Sequence, residues 1–468
     1  MTDSAVAETC RLTVRAPSAT IDLAVPADVP VADLLPTLLR YVGEEAEEAG
    51  LDHAGWVLQR LGDAPLDEET TLARAGLADG AVLHLRPHTE ALPEARLDDL
   101  VDGMAETVGR RLHTWHAGAA RGLLVGTAVA TVATALVMVF RPGVADSAAT
   151  RAACAAVAGV LLLAGAGSAS RAVGDRLSAT ALGLLVAPCF ALVGWVLPGG
   201  DLAGPDAAQV VGARLLAAGA AAAGGAVLAL AATAVGAPAL LATAVVAVAT
   251  AVSGALMGYT SLDAAASVAL VATVVVLAAG AVAPFAFKLA GMRMPALPSS
   301  AGQLQEGIDP YAGDEVAERT ELAGRWVTAL FAATGTIAAA ALAVLAHHPD
   351  LPETLTALAL ALLLLLHSRG LVHIGQRLTL AVPGVLGLLL LARAWAVDSD
   401  ADGRVIVFAV LLASAAALVT ASWIVPGRRV LPYWGRAAEL AHTGFAVALL
   451  PFALWVAGLF GWLRGLFG

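Results

Sequence analysis

The sequence is poor in charged and aromatic residues for its length. Only 14% of its 468 residues are Asp, Glu, Lys or Arg and 5% are Phe, Trp or Tyr, whereas 59% are hydrophobic. Soluble domains carry about 25% charged residues, because their surfaces must be hydrated. A chain of this length with so little charge cannot cover its own core with polar surface. The composition therefore excludes a wholly soluble protein and indicates an integral membrane protein.

Several sequence motifs of catalytic, redox and metal-binding sites are also missing. The three cysteines, Cys10, Cys154 and Cys189, have neither a metal-binding nor a redox spacing. No GxxxxGK[ST] loop and no HExxH pair occurs, and the apolar segments hold almost no ionisable residues at their centres. We therefore predict no catalytic residue, no cofactor site and no metal site, and we do not expect an enzyme.

The net charge of −11 is concentrated at the front of the chain. Residues 1–88 contain six arginines against fifteen acidic residues. Nucleic-acid binding needs a basic face that neutralises phosphates, so we expect no nucleic-acid partner. The first residues also lack a basic stretch followed by an apolar run, so no signal peptide is predicted and this part is expected to stay in the cytoplasm.

Residues 1–88 have the pattern of a small α+β domain. Polar and apolar residues alternate over 11–15 and 20–25, which predicts an antiparallel hairpin. Val31, Leu34, Leu35, Leu38 and Leu39 recur at helical spacing. Further strands are expected at 55–61 and 81–86, with a short helical link at 71–77 between them. This order is that of a ubiquitin-like β-grasp domain.

The remainder predicts an all-α polytopic membrane domain. Residues 89–120 show one apolar helical stripe, which predicts an amphipathic connector helix. A membrane helix needs about 20 mostly apolar residues. Eleven such segments follow within the transmembrane domain 121–468: 121–140, 152–170, 177–197, 211–234, 238–258, 263–287, 326–346, 351–367, 378–397, 405–425 and 438–463. Only Gly236, Ala237 and Pro238 separate the fourth segment from the fifth, so a total of ten or twelve stays open.

The distribution of positive charge predicts the orientation. With a cytoplasmic N-terminus, fourteen basic residues flank the spans on the cytoplasmic side and six on the opposite side. This asymmetry follows the positive-inside rule. We expect a multi-pass protein of the plasma membrane with a cytoplasmic N-terminus and an extracytoplasmic C-terminus.

One connector, 289–324, is much longer than the others and is expected on the cytoplasmic side. It is rich in Pro, Gly and charge, and loops of this length are usually functional or disordered. A flexible tether and a partner-contact segment are both open interpretations. If it contacts a partner, the residues we expect to do so are Val316, Arg319, Thr320 and Arg325.

Small residues recur at helix-packing intervals. Gly254 and Gly258 form a GxxxG motif, and Gly212, Gly219, Gly224 and Gly225 lie in one Ala-rich segment. Such residues let helix backbones approach, more often within a chain than between chains. Histidines show no ligand set: His113 and His116 are three residues apart, and His367 and His373 bracket a loop.

The complete arrangement resembles the EccD family, the polytopic component of the type VII (ESX) secretion system. The stretches that carry this resemblance are Cys10-Arg-Leu-Thr-Val-Arg15, residues 61–86 and Val316-Ala-Glu-Arg-Thr320, together with the number of spans. The resemblance implies a non-enzymatic membrane scaffold. Its implied partners are EccB, the FtsK/SpoIIIE-like ATPase EccC, EccE, a second copy of the chain and membrane lipid, with the β-grasp domain and the 289–324 connector as candidates for holding the ATPase.

A stand-alone secondary transporter with a regulatory ubiquitin-like domain is the alternative. It requires an intramembrane polar site, which the sequence does not display. Eleven spans also divide poorly into equal repeats.

Overall fold

The computed structural model describes residues 9–17, 19–42, 55–61, 63–77, 79–88, 117–141, 147–260, 262–292, 313–347, 350–424 and 432–467. The chain divides into two compact units, Met1–His116 and Ala117–Gly468. Residues 89–116 of the expected connector helix lie outside the described residues, as do His113 and His116.

The described residues of the first unit form a four-stranded sheet covered by one helix. Its elements are β1 (Thr9–Arg15), β2 (Thr20–Pro26), α1 (Val31–Val42), β3 (Trp56–Gln59) and β4 (Ala81–Pro87). The strand order is β2-β1-β4-β3; β1 and β4 are parallel, and the outer pairs are antiparallel. Alternate residues such as Leu12 and Val14 face α1 and form the core with Leu34, Leu35 and Leu38. This is the β-grasp arrangement, and every predicted strand is found within two residues of its expected bounds.

The expected helical link at 71–77 is wrong. Residues 72–76 form turns, with one α-type hydrogen bond, from the Ala75 N–H to the Thr71 carbonyl at 2.9 Å. The Ala73 N–H donates instead to the Ala27 carbonyl at 2.9 Å, and Gly76 has a left-handed φ of 66°. So short a segment cannot offset the cost of helix nucleation, and tertiary contacts determine its path.

In the second unit, all secondary structure among the described residues is helical. Its helices are α2 (Ala117–Val139), α3 (Ala148–Ser168), α4 (Arg176–Val196), α5 (Ala207–Thr233), α6 (Ala237–Tyr259), α7 (Ala264–Ala278), α8 (Val282–Leu289), α9 (Gly313–Leu345), α10 (Leu351–Ser368), α11 (Ile374–Asp398), α12 (Ala401–Ile424), α13 (Pro432–Val456) and α14 (Leu459–Phe467). A π-helical turn, Ala169–Val173, extends α3, and a 3-10 turn, Ala279–Ala281, joins α7 to α8. Among the described residues, eleven helical segments are long and apolar enough to cross a membrane, the number predicted.

Helix boundaries coincide with residues that interrupt a helix, namely glycine, proline and residues with a positive φ. Between α5 and α6, Ala234 and Gly236 have φ values of 53° and 67°, and Pro238 lies in the first turn of α6. The break expected there is confirmed. The expected span at 438–463 is corrected, because α13 ends at Val456 and Gly458, with a φ of 75°, separates it from α14. Glycine accepts this left-handed conformation without strain.

The core of this unit, among the described residues, is built from seven helices and from close glycine contacts. Buried side chains of α6, α7, α8, α9, α10, α11 and α13 share one apolar cluster, with Leu342 and Leu360 among its fully buried members. Elsewhere α5 packs on α6 so closely that a Cβ on Gly212 would lie 2.7 Å from the Gly258 nitrogen, and one on Gly254 would overlap the Leu216 nitrogen. These glycines serve packing within the chain, the more common of the two roles considered. No side chain of α2 is buried within the described chain.

Candidate functional site

The amino-terminal end of α9 is an exposed helical extension. Residues 315–322 are exposed, and the first buried side chain of this helix is Trp326. At 1.5 Å per residue, the extension before Trp326 is about 18 Å long. The second part of the predicted 289–324 connector is therefore helix, continuous with the following span. Residues 293–312 lie outside the described residues.

Ion pairs along the helix explain why these polar residues are helical. Glu315 pairs with Arg319, and Glu321 pairs with Arg325 at 2.5 Å, both at the i, i+4 spacing. A glutamate four residues before a basic residue has the favourable orientation on a helix. All four side chains are well exposed, so each pair contributes only about 0.3–0.5 kcal/mol.

The structure brings three of the four expected contact residues together. A helix turns about 100° per residue, which places Val316, Arg319 and Thr320 within one arc of about 100°. Val316 is 45% exposed and Thr320 is exposed. Arg325 lies about 180° from Val316 around the helix, where it is paired with Glu321. We call the side formed by Val316, Arg319 and Thr320 the α9 face.

Arg319 fixes the α9 face to the neighbouring helix. Its Nη1 donates to the Gly291 carbonyl at 3.0 Å, just after α8. Below it, Trp326 packs against Ala286 and Ala290. The extension is thus anchored at two levels. The α9 face presents the apolar side chain of Val316 and the hydroxyl of Thr320.

A second surface lies on the β-grasp unit, and sequence reasoning missed it. Arg11, Arg15 and Arg86 alternate with buried residues and therefore lie on the outer face of the sheet, away from α1. Asp22 on β2 accepts a hydrogen bond from the Thr13 hydroxyl at 2.6 Å on the same face. This face is basic although the domain is acidic. The signal in the sequence for this face is the alternation of Arg11 and Arg15 on β1, and of Arg86 on β4, with apolar residues.

On the opposite side of the sheet, Cys10 is a core residue. Burial and the Asp79 carboxylate raise the pKa of its thiol. The thiol is therefore protonated at neutral pH and unreactive.

An ion pair joins α2 to the start of α4. Asp175 caps α4 by accepting hydrogen bonds from the N–H groups of Leu177 and Ser178 at 3.0 and 3.1 Å, and it pairs with Arg121 at 2.5 Å. Hydrogen bonding from Ser178 and then from Arg121 holds the pKa of Asp175 well below its usual range. The cap and the pair both need the ionised carboxylate.

His367 and His373 lie on either side of the connection between α10 and α11, as expected, and His367 contacts a third histidine. His367 Nδ1 lies 3.2 Å from His442 Nε2, which joins α10 to α13, and the Phe331 ring packs edge-on against His367. Within the part of the chain that the structure describes, no third His, Cys, Asp or Glu joins them as a metal ligand.

These features define a polytopic membrane protein that carries a β-grasp unit before its helices. Residues 120–466 match the family described as EccD-like transmembrane domain, and residues 9–85 match the family described as WXG100 protein secretion system (Wss), protein YukD. The chain belongs to the EccD-like family.

Relatives and solved structures are consistent with this assignment. The ESX-4 secretion system protein eccD4 of Mycobacterium tuberculosis, in two strains, is 38% identical over 95 residues. That alignment spans 20% of this chain and 20% of the relative, about a fifth of the curated proteins' length.

Two solved structures share the fold. Protomer 1 of the ESX-3 core complex has a TM-score of 0.55 at 18% identity and covers 97% of this chain and 99% of that one. The MycP5-free ESX-5 inner membrane complex in state II has a TM-score of 0.58 at 20% identity, with coverages of 88% and 99%.

Proposed function

We propose that this protein is a structural membrane component of a type VII (ESX) secretion machinery. The observation that carries the proposal is the presence in one chain of an EccD-like transmembrane domain over 120–466 and a YukD match over 9–85. The fold likeness to chains of the ESX-3 core complex and of the ESX-5 inner membrane complex supports it. In this role the helices hold the protein in the membrane, and its exposed surfaces bind other components.

We infer that two surfaces mediate these contacts. The α9 face offers Val316 and Thr320 to a partner, and Arg319 acts as a positioning residue through its bond to Gly291. Arg325 lies on the other side of the helix and is left out of this contact. The second surface is the β-grasp unit, proposed to hold the FtsK/SpoIIIE-like ATPase EccC. EccB, EccE and a second copy of the chain are the remaining proposed partners.

We further infer that the N-terminus and the α9 extension are cytoplasmic and that the C-terminus is extracytoplasmic. The excess of basic residues on one side of the eleven candidate spans supports this orientation. With this orientation, both contact surfaces lie on the side where an ATPase has access to nucleotide.

Affinity purification tests the assembly. The tagged full-length protein is isolated from native membranes in mild detergent, and its partners are identified by mass spectrometry and native sizing. We expect a large particle that contains the ATPase. Deletion of residues 1–88 should remove the ATPase while the membrane domain still inserts. Recovery of the intact protein alone, under conditions that preserve other complexes, would contradict the proposal and support the transporter alternative.

Point variants test the α9 face separately. Val316→Glu places a charge on this face and should reduce recovery of at least one partner several-fold. Arg325→Ala, on the opposite side of the same helix, is the matched control and should leave recovery unchanged. Equal recovery with both variants would exclude the α9 face as a contact, without excluding the secretion role.

A further inference from the structure

A groove between α3 and α5 ends at a single charged side chain. Its volume is about 490 Å³, and its walls are largely apolar, including Val160, Leu163, Ala164 and Gly167 of α3. Arg171 closes one end and is the only charged residue in the lining. An apolar channel with one cation at its end matches an amphiphile that has an anionic head.

The π-helical turn that follows α3 holds Arg171 in place. Arg171 Nη2 donates to the Ala231 carbonyl at 3.1 Å, and the adjacent Ser170 hydroxyl donates to the Thr233 carbonyl at 2.5 Å. These carbonyls belong to the last turn of α5, where backbone acceptors lack partners within the helix. The guanidinium has five N–H donors, so donors remain for a ligand after this bond is made.

The charges around this end favour an anion. Asp175, the nearby acidic residue in the turn between α3 and α4, is already paired with Arg121. Arg171 and Arg176 have no carboxylate partner within the described ranges. Arg171 is therefore an uncompensated cation at the end of the groove, and phosphate groups are ligands that arginine binds well.

The length of the groove distinguishes a lipid from a small anion. Eleven helical residues separate Val160 from Arg171, a distance of about 16 Å along the axis. One leaflet of the hydrocarbon core is about 15 Å thick. Val160 and Leu161, on the same helix, are 56% and 66% exposed. A free phosphate would occupy only the arginine end, whereas a phospholipid would use the whole groove.

We propose that the groove between α3 and α5 binds an anionic phospholipid. The phosphate accepts hydrogen bonds from Arg171, and one acyl chain lies along Val160, Leu163 and Ala164. The site is independent of the proposed secretion role, since it requires only the membrane domain.

Native mass spectrometry of the purified full-length protein tests the site. The protein is mixed with phosphatidylglycerol or with phosphatidylcholine of the same acyl chains, and the retained lipid is counted. The wild type should retain phosphatidylglycerol in preference. Arg171→Gln should lower its occupancy about tenfold, the effect of losing a hydrogen bond to a charged group, and Arg171→Lys should retain more lipid than Arg171→Gln.

Two further variants separate lipid binding from helix capping. Arg404→Gln is the matched control, because Arg404 also donates to a carbonyl at a helix end, that of Ala396 at 3.2 Å, but takes no part in the groove. It should leave lipid retention unchanged. Ala164→Phe fills the groove without touching the bonds of Arg171 and should also reduce retention.

Three results would overturn the proposal. One is equal retention of phosphatidylglycerol by the wild type and Arg171→Gln, and another is an equal loss with Arg404→Gln. The third is displacement of the lipid by excess inorganic phosphate together with full retention by Ala164→Phe, which would identify a site for small anions only.

Discussion

At the scale of single residues, glycine determines how closely α5 and α6 approach. A Cβ on Gly254 would overlap the backbone of α5, whereas a Cβ on Gly224 would meet nothing within 4 Å. Alanine is favoured over glycine within a helix by about 0.5–1 kcal/mol, but overpacking costs about 1–3 kcal/mol. We therefore expect Gly254→Ala to lower the melting temperature in detergent and Gly224→Ala to leave it unchanged or raise it slightly. Similar melting temperatures for the two variants would contradict the packing of α5 on α6.

Asp175 gives a pH-dependent prediction at the same scale. Its pKa in the folded protein lies below the ordinary value of 3.8, so its contribution to stability is complete above that pH and is lost as pH falls through the folded pKa. Asp175→Asn should lower the melting temperature by a few degrees at pH 7. The difference from wild type should stay constant down to about pH 5 and shrink below about pH 4. A difference that changes between pH 7 and 5 would exclude the carboxylate as its source.

At the scale of elements, Trp326 connects the exposed and buried parts of α9. It is 8% exposed and packs on Ala286 and Ala290 near the end of α8. Trp326→Ala should destabilise the membrane domain by about 3–5 kcal/mol, the usual range for a buried aromatic side chain. Trp423 of α12 is 78% exposed and provides the control, for which Trp423→Ala should shift the thermal unfolding transition far less.

Elements whose signals are local could be predicted from the sequence, and long-range contacts could not. The eleven spans follow from apolar runs and from breaks such as Gly236 and Pro238, and the β strands follow from alternation. The segment at 71–77 failed because its path depends on Ala27, a residue distant in sequence. Arg325 was predicted to act together with Val316 although the two lie on opposite sides of α9. Their opposite positions follow only when this part of the connector is known to be helical.

In the candidate sites, too, local features could be predicted from the sequence and long-range contacts could not. The stretch Val316–Thr320 could be predicted because its sequence resembles that of the EccD family. Its anchoring could not, because the hydrogen bond from Arg319 to Gly291 joins residues 28 positions apart. In the sequence, Arg171 is only a basic residue beside a span. Its position depends on α5, because the Ala231 carbonyl that accepts its hydrogen bond lies 60 positions away. Spacing in a single sequence contains no information about such pairs.

At the scale of the whole molecule, an odd number of spans requires the two ends of the membrane domain to lie on opposite sides of the membrane. Leu202, between α4 and α5, is 47% exposed, and Val372, between α10 and α11, is 92% exposed. Five candidate spans separate these two positions, so they must face opposite compartments. With a cytoplasmic N-terminus, Leu202 is extracytoplasmic and Val372 is cytoplasmic.

Cysteine labelling checks this arrangement. In a background where Cys10, Cys154 and Cys189 are replaced by alanine, Leu202→Cys should react with a membrane-impermeant maleimide in intact spheroplasts. Val372→Cys should react only after the membrane is permeabilised. The reverse pattern would place the N-terminus outside and remove the α9 face from the cytoplasm, and labelling of both from one side would show that the number of spans between them is even. Cysteine replacement leaves the candidate spans intact. The labelling pattern therefore measures the orientation of the membrane domain, which we expect the distribution of arginines along the chain to determine.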